Sequence, residues 1–170
     1  MGPIEIVFLV LLMVFGIIGV VRGYGRELGV TTMLLITLFV LELLDERYRD
    51  KLNQAVGALI SSASADGTRA WIFVVVLIVV AFMSYEGQTL SFAGNRGRIV
   101  FDLGTGLLNG YLLIGSIWHY LHLANWPLLS VTQTYTPLYN VMVRLLPPAI
   151  FSWPYFVGLV VLLLIARVWK

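Results

Sequence analysis

Two histidines, His119 and His122, stand three residues apart in the stretch WHYLH and so share one helix face. Imidazoles at that spacing could bind a metal, or one could ligate a haem or chlorophyll-type pigment. They are the only histidines in the chain, so carboxylates or water would have to complete a metal shell. They also sit among Trp118, Tyr120 and Trp126, the composition of an aromatic belt at a membrane interface, and the residues fit that belt better than a metal site. A second group is Asp102 with Gly106, Asn109 and Gly110, a small and polar stripe at i, i+4, i+7 and i+8. A carboxylate at membrane depth is costly and by default a functional candidate. Near a helix start, however, it would also favour the helix dipole, or pair with Arg22 or Arg26.

The third group is the run GVVRGYGRE from Gly19 to Glu27. Arg22 and Arg26 flank a turn, where they could meet an anion, a lipid headgroup or the carbonyls of a helix end. Gly16, Gly19 and Gly23 share a helical face, and Gly19/Gly23 form a GxxxG pair of the kind that lets two helices approach closely in lipid. Gly25 and Gly29 repeat that spacing. Glu42 reads as a side chain snorkelling toward headgroups beside Asp45 and Glu46.

Patterns of covalent catalysis are missing from the sequence. No histidine or carboxylate pattern activates Ser61, Ser62 or Ser64. The glycines of RGYGRELG precede no lysine and follow no strand, so they are not a phosphate loop. Cysteine is absent, which removes disulfides, thiolate chemistry, iron–sulfur clusters and cysteine zinc sites together. The expectation is no enzyme activity, no metal and no cofactor, with His119 and His122 the residual candidates for cofactor binding. A net charge of +2 with no long basic run argues against nucleic acid as a partner.

The elements that must position these groups are membrane helices. Hydrophobic residues make up 59% of the 170-residue chain and charged ones only 12%, about half the charge of a soluble domain. The mean hydropathy is +0.92. Continuous apolar runs predict spans at about 4–21, 28–44, 70–85, 103–123 and 151–168, helical because they do not alternate as barrel strands do. The basic residues follow the first run rather than precede it, so it reads as a retained helix rather than a cleaved signal. The short link after it predicts a tight hairpin of the first two helices. Leu52, Val56, Leu59 and Ile60, and again Leu138, Met142, Leu145 and Leu146, recur at helical spacing. They suggest short helices lying at the membrane interface or capping the bundle ends. The predicted fold is a single all-α domain, a polytopic bundle of four to five spans with short interfacial helices.

An apolar first helix running into GxxRGxxRE, carried here by Gly19, Arg22, Gly23, Arg26 and Glu27, resembles the start of the colicin V production (CvpA) family. Gly106-Leu107-Leu108-Asn109-Gly110 resembles that family's glycine-spaced entry to its last helix, although the family usually has a basic residue at the Asn109 position and a glycine at the Asp102 position. TQTYTPLYNVMVRLLPP resembles its polar, proline-bearing segment. The resemblance covers roughly residues 1–150, leaves the fifth helix as an addition, and implies a non-enzymatic bacterial inner-membrane protein linked to colicin V production and envelope stress.

The partners expected are the lipid bilayer and other membrane protein subunits or a second copy of the chain. The alternatives are an accessory subunit of a larger membrane complex, in a special case holding pigment or haem, and a small transporter or channel. With five spans, Arg22, Arg26, Arg96, Arg98, Arg167 and Lys170 share one side, and Arg47, Arg49, Lys51, Arg69 and Arg144 the other. By the positive-inside rule, six against five favours an external N-terminus and a cytoplasmic C-terminus.

Overall fold

The computed structural model describes residues 2–59, 65–87, 92, 99–124 and 136–169. The readings that fall on Ile60, Ser61, Ser62, Ser64, Arg96, Arg98, Trp126, residues 132–135, Lys170 and the side chain of Leu59 lie outside that set. The described residues form helices α1 (Pro3–Arg22), α2 (Tyr24–Leu59), α3 (Ala65–Glu86), α4 (Ile99–Leu123), α5 (Pro137–Arg144), α6 (Pro147–Ile150) and α7 (Trp153–Val168), with no strand among them. The fold is all-α.

Four helices, α1 to α4, are long and apolar enough to cross a membrane. At 16 residues, α7 is shorter. With a rise of 1.5 Å per residue it covers about 24 Å, just under the usual minimum for a span. Proline stands in the first turn of α1, α5, α6 and α7, where its missing N–H would have had no intrahelical acceptor. The outward faces of three helices are apolar: Val10, Met13 and Ile17 on α1, Val75, Ile78 and Phe82 on α3, and Leu162 and Ile165 on α7 are all exposed. Such surfaces suit hydrocarbon rather than water. The chain is a membrane-spanning protein.

Gly23 alone separates α1 from α2, with φ +84° and ψ 147°, a conformation that is essentially glycine's own. The bundle therefore has a Gly23 end and an opposite end. The pairing beyond this turn differs from the expected hairpin. α1 lies chiefly along α4 and touches α2 only slightly, whereas α2 packs on α3, α4 and α7. α1 is greasy almost all round, and its small residues, not its apolar ones, select α4 as neighbour.

Leu34 and Leu38 of α2, Leu77 of α3 and Phe156 of α7 are completely buried in the main core, beside Phe73, Leu112 and Tyr120. α7 thus joins the bundle through α2. A second cluster gathers Phe8, Trp118, Tyr139 and Leu146.

Both connecting segments contain a short helix, as expected: the part of α2 beyond the kink at Tyr48, and α5. After its span, α2 continues through the charged DERYRDK with a kink at Tyr48 (φ −126°, ψ 15°). α5 descends beside α4 instead of lying across the bundle's end, and α6 packs on α4. Thr136, which caps α5 by accepting from the Tyr139 N–H at 3.1 Å, also bonds Glu5 at the start of α1. Further down, the Leu145 carbonyl accepts from the Tyr111 hydroxyl at 2.5 Å, and Pro147 rests against Gly115. Only Met142 and Leu146 of the predicted apolar stripe turn inward, while Leu138 and Leu145 are exposed. The inward side of that stripe packs with Phe8 of α1 and Trp118 of α4.

Candidate functional site

The stripe of α4 and the turn after α1 come together at the Gly23 end around one carboxylate. Glu27, four residues into α2, is fully buried. Its Oε1 lies 3.0 Å from the Arg22 Nε, an ion pair across the turn. Its Oε2 accepts from Asn109 Nδ2 at 2.8 Å and from the Tyr85 hydroxyl at 3.1 Å. Asn109 also donates to the Glu27 backbone carbonyl at 3.0 Å, while its Oδ1 accepts from the Thr31 hydroxyl at 2.7 Å. Every hydrogen-bonding group of that buried amide is thereby engaged.

Arg22 is held on two further sides. It donates to the Tyr85 carbonyl at 2.5 Å, and its guanidinium stacks 4.7 Å from the centre of the Tyr85 ring. One buried carboxylate thus ties α1, α2, α3 and α4 together. In low dielectric such a charge needs a countercharge and donors; here Arg22 pairs with Oε1, and Asn109 and Tyr85 donate to Oε2.

Asp102 is buried and does not pair with Arg22 or Arg26. Its Oδ1 accepts from the Tyr24 N–H at 2.6 Å, so a residue of α4 caps the first turn of α2. Arg26 is exposed and makes no ion pair among the described residues. The glycines divide their work. Gly16 faces Leu103 and Leu107, Gly19 faces Gly106, and Gly110 faces Phe15. Gly23 takes the turn and is no part of a packing pair, so the predicted Gly19/Gly23 pair is replaced by Gly19 against Gly106 in another helix.

The opposite end holds a second polar set. Glu42 does not snorkel; its Oε1 accepts from the Tyr120 hydroxyl at 2.8 Å. Arg69 bridges Asp45 at 3.1 Å and Asp66 at 3.2 Å beside a small cleft that Tyr120 also lines. His122 Nδ1 lies 2.9 Å from the Tyr139 hydroxyl, and His119 Nδ1 is buried without a partner among the described residues. No three metal-ligating side chains converge among those residues.

Thr31, Tyr85 and Tyr111 carried no signal in the sequence, apart from Thr31 standing one helical turn after Glu27, and Tyr120 showed only as part of the aromatic belt. Their partners are up to 78 residues away. Compared with protein-family models, curated proteins and solved structures, the chain has no significant match. What the fold and the site define is a class, a helical membrane-spanning protein whose buried charge is spent on holding its own helices.

Proposed function

We propose that this is a non-enzymatic multi-pass protein of the bacterial inner membrane, similar to the CvpA family, acting through lipid or other membrane proteins. One observation supports the reading above the rest: Arg22 and Glu27 of the resembling first turn, with Asn109 and Asp102 of α4, bind one another or a helix end. A site meant for substrate leaves polar groups aimed into a cavity. Here they are closed on themselves, and the molecule presents apolar helix faces outward. In this reading the fifth helix crosses as well, and the six-against-five count of basic residues favours an external N-terminus and a cytoplasmic C-terminus.

Isolation in mild detergent with a mass measurement tests this. The expected species exceeds the mass of the chain alone by a partner subunit or retained lipid. A bare monomer that carries an enzymatic activity overturns the reading. A second reading, an accessory subunit holding haem or pigment, is favoured by the unpartnered His119 Nδ1. An absorption spectrum of the gently purified protein separates the two, since the first reading expects no visible band.

A further inference from the structure

We propose that Arg144 pairs with a carboxylate at mid-membrane depth on a spanning helix of a different protein, which lies against the outer face of α5. The inference rests on the reading of this chain as one that works through membrane partners, and it names the contact and its chemistry.

Depth comes first. α5 begins level with the start of α1 and the last turn of α4, through Thr136 with Glu5 and Tyr139 with His122. It ends where Leu145 meets Tyr111, the middle residue of α4, twelve residues from Ile99 and twelve from Leu123. At 1.5 Å per residue, Tyr111 is about 18 Å from either end of α4, and α5 carries Arg144 about 12 Å inward from Thr136, farther than an arginine side chain reaches. Arg144 immediately precedes that contact, and it is exposed. A guanidinium opening outward at the middle of a spanning helix faces hydrocarbon unless something covers it, and membrane proteins avoid that cost by pairing such charges.

No Asp or Glu of this chain provides the pair. Among the described residues Arg144 has no ionic partner within 4.0 Å. All nine Asp and Glu residues of the chain lie within the described set. Six are held inside the bundle or at helix ends by the contacts given above. The other three, Glu46, Asp50 and Glu86, are exposed beyond the apolar stretches, far from the level of Tyr111. A second copy in the same membrane would carry its free carboxylates at those same outer levels, so self-association leaves Arg144 unpaired. A lipid phosphate also sits at the outer levels. A spanning helix of another protein can bring an Asp or Glu to any depth. Val141 and Leu145, exposed on either side of Arg144, offer the apolar contact such a helix needs, and Asn140 one turn earlier adds a polar one.

The test places a photo-crosslinking residue at Val141 or Leu145 of the full chain in its native membranes, with Arg144 intact, R144K or R144Q. The expected product is an adduct with a different membrane protein whose crosslinked span contains Asp or Glu. Its yield is retained in R144K and falls at least tenfold in R144Q. The same residue placed at Val75, on the lipid face of α3, gives a background that R144Q does not change. Should R144Q fail to accumulate, the charge swap decides: R144E together with Lys at the partner's acid restores the adduct. Adducts with lipid alone, adducts with a second copy, a partner span lacking a carboxylate, a yield indifferent to R144Q, or a swap that restores nothing each overturn the inference. A partner still recovered in mild detergent from R144Q preserves the proposed function and removes only the role of Arg144.

Discussion

Gly19 of α1 and Gly106 of α4 stand in backbone contact. A Cβ on Gly19 would meet the Gly106 Cα at 2.7 Å, and one on Gly106 would meet the Gly19 Cα at 2.9 Å. The Asp102 carbonyl crowds the first and the Phe15 carbonyl the second, an approach at which weak Cα–H···O contacts form. Lipid gives no hydrophobic drive to join helices, so this proximity supplies the dispersion contact that holds α1. The crowding atoms are backbone and cannot rotate aside.

Gly19→Val or Gly106→Val is therefore expected to cost about 1–3 kcal/mol by overpacking, and to loosen α1. Gly104→Ala and Gly158→Ala, where a Cβ meets nothing within 4 Å, are the controls. They are expected to be neutral or to gain up to about 1 kcal/mol of helix propensity. Unfolding by denaturing detergent, followed by loss of helicity, measures all four.

The Arg22–Glu27 pair predicts a hierarchy. Arg22→Gln leaves a fully buried carboxylate without its countercharge, a loss of roughly 3–5 kcal/mol for buried pairs. Tyr120→Phe removes one interhelical hydrogen bond to Glu42, for which membrane proteins average about 0.6 kcal/mol. If the two substitutions cost the same in the unfolding assay, Glu27 is not carrying the charge assigned to it.

At the turn, Gly23→Ala places a side chain at φ +84°, worth about 1–3 kcal/mol of strain. Asp102→Ala removes the cap of α2 at about 1 kcal/mol, whereas Asp102→Asn keeps an acceptor for the Tyr24 N–H and costs less. In a flux assay Asp102→Asn is expected to change nothing, since the carboxylate serves a helix end. A changed flux would revive the channel reading.

Gly115→Leu pushes on Pro147, whose Cδ a Cβ there would meet at 2.8 Å. The expected outcome is release of α5 and α6 with α1–α4 intact, because the main core does not include them. Hydrogen exchange across 136–150 reads it: protection there falls while that of 30–41 is kept.

Much of this architecture could be read from residue types alone. Apolar runs of spanning length declare helices in lipid because the backbone has no other way to satisfy itself there. The location of polar residues at the first turn and along α4 is equally legible, as is the role of glycine in close packing. Partners were not. Periodicity places Gly19 on a face but does not say which helix meets it, and the hairpin reading chose α2 where α4 is the neighbour. The same limit hid Tyr85 and Thr31 beside Glu27, Tyr120 beside Glu42 and the descent of α5 to Tyr111. Each is a contact between residues far apart in the chain, and in a bundle whose helices are nearly all apolar many pairings bury similar area. The tertiary structure decides among them by where small residues let backbones touch and where Glu27, Asn109 and Asp102 meet partners on other helices.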